Sequence, residues 1–130
     1  MTDPVADFLI RIKNAYMAGR KEFSVPFSDF KKRLGELLVE QKYITSIEEE
    51  GKTPMEKVLV VRLKYHGKEP AISNIKRISK PSLRTYLKAR QIKATSRKFS
   101  VQIISTPEGL MTANEAKKKN FGGEVICQIW

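Results

Sequence analysis

The sequence predicts an α+β fold made of two small lobes. Apolar residues recur at helical spacing in the first 42 residues and alternate with polar residues from Tyr43 onward. Charge also separates the halves, since residues 1–65 hold 12 basic and 10 acidic side chains whereas residues 66–130 hold 13 and 4. A chain of 130 residues is long enough for two such lobes. We therefore expect residues 1–78 to form two helices and a three-stranded antiparallel sheet, and residues 79–130 to form a mostly β lobe with a short helix.

Two helices begin the first lobe. Asp3 can cap the free amides of a first helical turn, and Pro4 suits the next position, where its missing N–H costs nothing. We expect this helix to end near Gly19, and a second helix, capped by Ser28, to end near Lys42. The apolar stripes are Val5, Phe8, Leu9, Ile12 and Tyr16 in the first helix and Phe30, Leu34, Leu37 and Leu38 in the second. The residues predicted to lie off these stripes are Arg11, Lys13 and Asn14 on the first helix and Lys31, Lys32, Arg33 and Glu36, facing water, on the second.

A small sheet completes the first lobe. Residues 43–47 and 57–65 alternate in polarity around an acidic, glycine-containing turn at 48–54, which predicts a β-hairpin. A third strand is expected at 72–78. The lobe boundary is placed near Ser79, where a punctuated junction begins.

The second lobe is predicted to consist mainly of strands. Residues 83–88 and 99–104 favour strands, with a basic, weakly patterned stretch at 89–98 between them. The second of these strands should be followed by a turn closed by Gly109. Beyond it lie a short helix and a last strand.

The short helix is bounded by clear signals. Thr112 and Glu115 have the spacing of a capping box, in which each side chain satisfies a free amide of the helix end. Gly122 and Gly123 should stop the helix, and alternation at residues 125–129 predicts the final strand.

Composition argues against several functional classes. Cys127 is the single cysteine and His66 the single histidine, so we expect no disulfide, no metal site and no cofactor. Cys127 alternates with apolar neighbours, as a buried hydrophobe does, and His66 is typical of a solvated turn. The chain has no GxxxxGK[ST] loop for phosphates. We expect a protein that is not an enzyme, although a small enzyme using Cys127 is a distinct alternative.

Nothing in the sequence predicts a membrane protein. No run approaches the roughly 18 apolar residues of a spanning helix, and the first residues lack the basic start and apolar block of a secretory signal. We expect a cytosolic location and no membrane partner.

The net charge of +11 and the pI near 9.9 favour a polyanionic partner. A basic surface that only maintains solubility is one alternative, and a general polyanion or membrane-surface binder is another. Binding to RNA needs basic groups, hydroxyls and an aromatic face. Lys80, Arg84 and Tyr86 supply two of these, and strand alternation would place Arg84 and Tyr86 on one face. The alternative for Tyr86 is a place in the core, where a strand tyrosine lies about as often.

Hydroxyls and further charge lie later in the second lobe. Ser105 and Thr106 end a predicted strand and enter a turn, so they present hydroxyls to a ribose or a base edge, or they only cap the turn. Lys117, Lys118 and Lys119 add to the positive field, or form a solvated helix face.

Three separated motifs carry a resemblance over the whole chain. STPEGLMTANEA with GGEVICQIW ends the chain, DPVADFLIRIKNA begins at Asp3, and SKPSLRTY begins at Ser79. Together they resemble the family of the eighth protein of the bacterial small ribosomal subunit. The resemblance implies a structural ribosomal protein that binds the central domain of small-subunit ribosomal RNA and helps to assemble the platform. It also implies neighbouring ribosomal proteins as partners and a location on the ribosome, and it leaves repression of the protein's own messenger RNA open.

The resemblance also implies which residues bind RNA. The serine–threonine loop corresponds to Ser105 and Thr106, and the double-glycine motif to Gly122, Gly123 and Glu124. Glu124 would either accept hydrogen bonds from base amino groups or brace the binding loop. Further contacts are implied for Arg84 and Tyr86 in the second lobe, where Lys80 is a candidate from its charge alone, and, as a secondary backbone contact, for Arg11, Asn14 and Lys31 in the first.

The chain departs from the family pattern at two places. Pro107 and Glu108 stand where the family usually has a second serine and often a lysine, so the loop has lost a hydroxyl, a positive charge and a backbone donor. Ser82 stands where the family often has glycine.

Overall fold

The computed structural model describes residues 4–92 and 100–130 and divides the chain into two compact units, residues 1–72 and 73–130. In the first unit the elements are α1 (Pro4–Met17), β1 (Glu22–Pro26), α2 (Asp29–Glu40), β2 (Ile44–Glu50), β3 (Val58–Leu63), β4 (Tyr65–His66) and β5 (Glu69–Pro70). In the second they are β6 (Ile75–Arg77), β7 (Tyr86–Leu87), a 3-10 turn (Ala89–Gln91), β8 (Val101–Thr106), β9 (Gly109–Thr112), α3 (Ala113–Lys118) and β10 (Gly123–Ile129). The α+β fold class is confirmed.

Helix ends follow the local signals of the sequence. The hydroxyl of Ser28 accepts a hydrogen bond from the Lys31 N–H at 3.1 Å, which satisfies a free amide at the start of α2. After α1, Gly19 takes a φ of 68°, the left-handed region that suits glycine. Both predicted ends are confirmed, while Asp3, the predicted cap of α1, lies outside the described residues.

One side chain of α2 lies where the sequence did not place it. Lys31 was predicted to face water, but it is only 9% exposed. It shares the packed face of the helix with Leu34 and Leu38 at spacings of three and four residues, so its aliphatic stem is buried with them. Gly35 lies on the same face, where a Cβ would collide with the side chain of Ile47 in β2. The helix therefore packs closely on the sheet.

The first unit contains a three-stranded antiparallel sheet in the order β1-β3-β2. The hairpin of β2 and β3 is confirmed, with Ile47 opposite Val61. The third strand of this sheet, however, is Glu22–Pro26. The prediction that residues 72–78 form it was wrong. That later segment supplies β6, whose Arg77 pairs with Cys127 of β10 in the second unit. The predicted boundary at Ser79 thus lies beyond a strand that pairs within the second unit.

The second unit is built around β10, which pairs with β6, β7 and β8, while β8 also pairs with β9. The sequence did not predict β9. A register shift between Val125 and Cys127 leaves Ile126 as an extra residue, so all three are buried despite the predicted alternation. The apolar residues of one core cluster in this unit are Ile92, Ile104, Met111, Ala113, Ala116 and Val125.

The two residues considered for catalysis occupy ordinary structural positions. Cys127 is fully buried, and burial raises the pKa of its thiol to about 12, so little thiolate exists at neutral pH. His66 is exposed at the end of β4, beside Gly67 with a φ of 67°. Both interpretations, a buried hydrophobe and a turn histidine, are confirmed.

Candidate nucleic-acid interface

Positive charge is concentrated in the second unit. Residues 73–130 carry 12 basic and 3 acidic side chains, a net charge of +9, whereas residues 1–72 carry 13 and 11. An excess of this size on so short a segment attracts a polyanion before any specific contact forms.

Three residues of the second unit lie opposite one another on neighbouring strands. Glu124 of β10 pairs with Tyr86 of β7 on one side and with Ser105 of β8 on the other. Directly opposed residues in antiparallel strands project their side chains from the same face of the sheet. We call Tyr86, Glu124 and Ser105 the cross-strand row. It brings together an aromatic ring, a carboxylate and a hydroxyl that are distant in sequence.

The double glycine makes this close arrangement of strands possible. A Cβ at Gly123 would collide with the carbonyl oxygen of Ser105, and a Cβ at Gly122 would lie 2.6 Å from the carbonyl oxygen of Leu87. A side chain at either position would push β7 or β8 away from β10. Gly122 and Gly123 therefore shape the site through their backbone.

A tight turn precedes the row. Lys80 and Leu83 exchange backbone hydrogen bonds of 2.9 and 3.0 Å, which closes the turn over residues 80–83. Lys80 and Arg84 are exposed, and Leu83 and Tyr86 are 69% and 65% exposed. Large apolar surfaces beside basic groups suit contact with ribose or an unstacked base. Among the described residues, positive φ values outside glycine occur only at Lys42 and Asn120, so Ser82 fits this turn without the freedom of glycine.

The strand predicted at 83–88 is shorter than expected. Only Tyr86 and Leu87 pair with β10, so strand alternation does not fix the direction of Arg84. Arg84 is instead oriented by Glu124, whose Oε2 accepts a hydrogen bond from its Nη1 at 3.0 Å. Arg84 and Tyr86 both lie beside Glu124, although not for the reason that the sequence suggested.

Glu124 is held as an anion by its neighbours. Its Oε2 accepts a hydrogen bond from the hydroxyl of Ser79 at 2.5 Å as well as the one from Arg84. The Ser79 hydrogen bond, followed by the hydrogen bond and charge of Arg84, lowers the pKa of Glu124 below its ordinary value. Both partners belong to the segment before β7, so the observed contacts of Glu124 brace that segment.

The two hydroxyls of the serine–threonine loop differ in position. Thr106 is buried, donates to the Gly109 carbonyl oxygen at 2.8 Å and accepts from the Glu108 N–H at 3.1 Å. These contacts cap the turn, which was the alternative interpretation of its hydroxyl. Ser105 is half-buried in the cross-strand row. Pro107 and Glu108 form the exposed tip between β8 and β9, so the lost positive charge is replaced there by a carboxylate.

The whole length of the chain matches one family. The model described as ribosomal protein S8 matches residues 3–130. The chain belongs to the ribosomal protein S8 family. Relatives named small ribosomal subunit protein uS8 from Mycoplasmopsis synoviae and Clostridium novyi are 45% and 46% identical to it, and one from Sulfurihydrogenibium is 41% identical. Each match covers 100% of this chain and 98%, 98% and 99% of the respective relatives.

Membership of this family establishes the general role. The protein is a structural constituent of the small ribosomal subunit and not an enzyme, and its place is the ribosome in the cytoplasm. The resemblance inferred from the three motifs is confirmed. Across residues 4–92 and 100–130, no helix has the length and apolar character needed to cross a membrane, and no three potential metal ligands cluster.

The second unit also contains an open groove of about 510 Å³ beside the cross-strand row. Tyr86, Gly122 and Gly123 line it together with three polar residues that the sequence had not indicated, namely Lys88, Gln91 and Asn120. Asn120 takes a φ of 61° after α3, in the left-handed region that asparagine tolerates. An asparagine two residues before Gly122 is the sequence signal that could have indicated this helix end. Two sequence predictions fall partly outside the described residues. These are positions 93–98 of the basic stretch predicted at 89–98 and position 99 of the strand predicted at 99–104.

The candidates of the first unit are only partly brought together. Arg11 and Asn14 are exposed and line a second groove of about 510 Å³ with Arg20 and Phe23. Arg11 is also paired with Asp7 at 3.1 Å. Lys31 does not line this groove. On α3, the residues 117–119 are exposed, as a solvated helix face is.

Proposed function

We propose that the protein binds the central domain of small-subunit ribosomal RNA through its second unit and helps to assemble the platform of the subunit. The observation that carries this proposal is the cross-strand row in a unit with a net charge of +9. In this proposal the lysines of the second unit neutralise phosphates and so provide affinity. The cross-strand row and the turn over residues 80–83 contact one RNA site of matching shape and so provide specificity.

Each member of the site has a distinct part in this proposal. The exposed ring of Tyr86 packs on a ribose or an unstacked base, with Lys80 and Arg84 beside it for phosphate. The hydroxyl of Ser105 donates or accepts at a ribose 2′-OH or base edge. Glu124 braces the segment that holds Arg84, and Gly122 and Gly123 keep the strands close. Thr106 maintains the turn beneath Ser105.

The first unit contributes a secondary contact with the RNA backbone. Arg11 and Asn14 are exposed on one groove, and Arg20 adds a second guanidinium there. Support is weakest for Lys31, because a residue that is 9% exposed offers little surface to a phosphate. Neighbouring ribosomal proteins are the other partners. Repression of the protein's own messenger RNA requires that message to reproduce the same RNA shape, and competition with the ribosomal transcript tests this.

The test is a comparison of transcripts. The full chain should bind a transcript of the central domain of small-subunit RNA more tightly than an arbitrary duplex of the same length. Ser105→Ala should weaken binding to the central-domain transcript and leave the unfolding curve unchanged, whereas the exposed control Lys68→Ala in the first unit should change neither. Equal affinity for both RNAs would show a general polyanion binder and contradict the proposal.

A further inference from the structure

Ser79 lies at the buried centre of the contacts beneath the candidate interface. It is 1% exposed, and each of its polar groups has a hydrogen-bond partner. Its N–H donates to the Val125 carbonyl oxygen at 3.1 Å, and its own carbonyl oxygen accepts from Nε of Arg77 at 2.5 Å. Its hydroxyl donates to Glu124 and accepts from the N–H of Thr85 at 3.2 Å. One serine therefore joins strand β10 to the segment before β7.

We infer that Ser79 is a positioning residue for the RNA-binding surface, because its hydroxyl fixes Glu124 and Thr85 in the arrangement that presents Arg84 and Tyr86 together. The inference rests on the proposed function. Ser79 itself has almost no surface, so it acts through other residues and does not contact the RNA.

Thr85 shows how the effect reaches the surface. Its N–H donates to the Ser79 hydroxyl, and its carbonyl oxygen accepts from the Val125 N–H at 2.9 Å. Both backbone polar groups of this residue are thus held against the sheet. Arg84 and Tyr86 are its two neighbours in sequence, so fixing Thr85 fixes the positions from which both side chains extend.

The carboxylate of Glu124 provides the second connection. Oε2 receives both the Ser79 hydroxyl and Nη1 of Arg84. Arg84 is about half exposed, and an exposed ion pair alone orients its partners weakly because water and salt compete for the charges. The hydroxyl of Ser79, which is 1% exposed, bonds the same carboxylate oxygen from a site that water hardly reaches. It therefore makes the carboxylate a fixed anchor for the guanidinium.

The chain offers a matched pair of serine variants. Ser79→Ala removes a hydroxyl that bonds Glu124 of β10, whereas Ser100→Ala removes one that bonds Gln128 of the same strand at 3.0 Å, away from the cross-strand row. In the full chain, Ser79→Ala should weaken binding to the central-domain transcript at least about tenfold, since an unmade buried hydrogen bond is costly. Ser100→Ala should change that affinity less than about twofold, and Ser79→Thr, which keeps the hydroxyl, should restore most of it.

Coupling and spectroscopy separate positioning from general destabilisation. Glu124→Gln should also weaken binding, and the double variant should be little worse than Ser79→Ala alone, because Ser79→Ala already breaks the connection through Glu124. The NMR titration of the Glu124 carboxyl should move toward an ordinary value in Ser79→Ala and stay low in Ser100→Ala. If Ser79→Ala does not fold, Glu124→Gln provides the test. Weaker binding by this variant, with a native melting curve and shifted Arg84 and Tyr86 resonances, supports the inference. Wild-type affinity in Glu124→Gln overturns it.

The possible failures are distinguishable. If the wild-type chain shows no preference for the central-domain transcript, the proposed function fails and this inference fails with it. If the wild-type chain prefers that transcript but Ser79→Ala binds equally well, or loses no more affinity than Ser100→Ala, only the positioning role is overturned.

Discussion

The two units carry similar numbers of basic side chains but use them differently. In the first unit Arg62 lies between Glu22 and Glu48, and Glu49 lies between Lys32 and Lys57, so much of its charge is compensated locally. The second unit contains 12 basic and only 3 acidic side chains. One of the acidic side chains, Glu124, lies in the candidate site. The number of basic side chains is therefore a poor guide to an RNA surface, whereas the positive charge that no nearby carboxylate compensates is the informative quantity.

The largest effect expected from this contrast is on salt dependence. If binding neutralises roughly six phosphates, raising the salt concentration fourfold should weaken affinity by about a thousandfold or somewhat less. Alanine at exposed lysines of the second unit should each reduce the slope of log affinity against log salt by about one, whereas exposed lysines of the first unit should leave it unchanged. The matched sets are Lys80, Lys88 and Lys118 in the second unit and Lys21, Lys52 and Lys68 in the first. Equal changes in slope for both sets would remove the contrast.

A glycine substitution in each unit provides the next largest effect. Gly123→Ala should lower the free energy of unfolding by about 3 kcal/mol, because the new Cβ meets the backbone oxygen of Ser105, and it should abolish specific RNA binding. Gly67→Ala in the first unit meets no atom within 4 Å but keeps a φ of 67°, so it should cost about 1 kcal/mol and leave RNA binding intact. Urea unfolding and transcript binding measure both. A harmless Gly123→Ala would show that β8 and β10 need not approach so closely.

Removal of an exposed ring should have a smaller effect that is confined to binding. Tyr86→Ala deletes a side chain that is 65% exposed, so the unfolding curve should not move, while affinity for the transcript should fall about tenfold through lost stacking. Met55 is 98% exposed in the first unit, and Met55→Ala is the matched control that should alter neither quantity. Unchanged affinity in Tyr86→Ala would exclude this ring from the interface.

Local chemistry made several elements predictable from sequence. The caps Ser28 and Thr112 each accept a hydrogen bond from the N–H three residues later, a relation that depends only on neighbouring residues. The second half of the predicted capping box differs, since the carboxylate of Glu115 pairs with Lys119 at 3.1 Å. The three motifs likewise named Tyr86, Ser105 and Glu124 as candidate site residues, although they did not predict that these residues lie opposite one another.

Relations between distant strands were not predictable in this way. The third strand of the first unit alternates over only five residues and contains one fully buried residue, Val25, so its pattern is short, and its pairing with β3 depends on a segment far away in sequence. The extra residue Ile126 and the hydrogen bond between Ser79 and Glu124 depend on register between segments far apart in sequence. The sequence alone therefore indicated which residue types could bind RNA, whereas the pairing register of the strands determines which of these residues lie next to one another.

The smallest expected effect concerns acid stability and compares Glu124 with Glu49 of the first unit. Hydrogen bonds, from Ser79 in one case and Lys57 in the other, lower both pKa values below the ordinary 4.5. A depressed carboxyl pKa stabilises the fold above the unfolded pKa, and this contribution is lost as pH falls through the folded value. Below about pH 4.5, Glu124→Gln should therefore flatten the loss of stability in acid. Glu49→Gln should do so only at low salt, because the surface ion pairs of Glu49 with Lys32 and Lys57 are screened by salt. Melting curves from pH 2 to 7 at about 0.05 and 0.5 M salt measure both effects. If the effect of Glu124→Gln also depended on salt, surface charge and not the buried hydroxyl of Ser79 would hold the carboxylate.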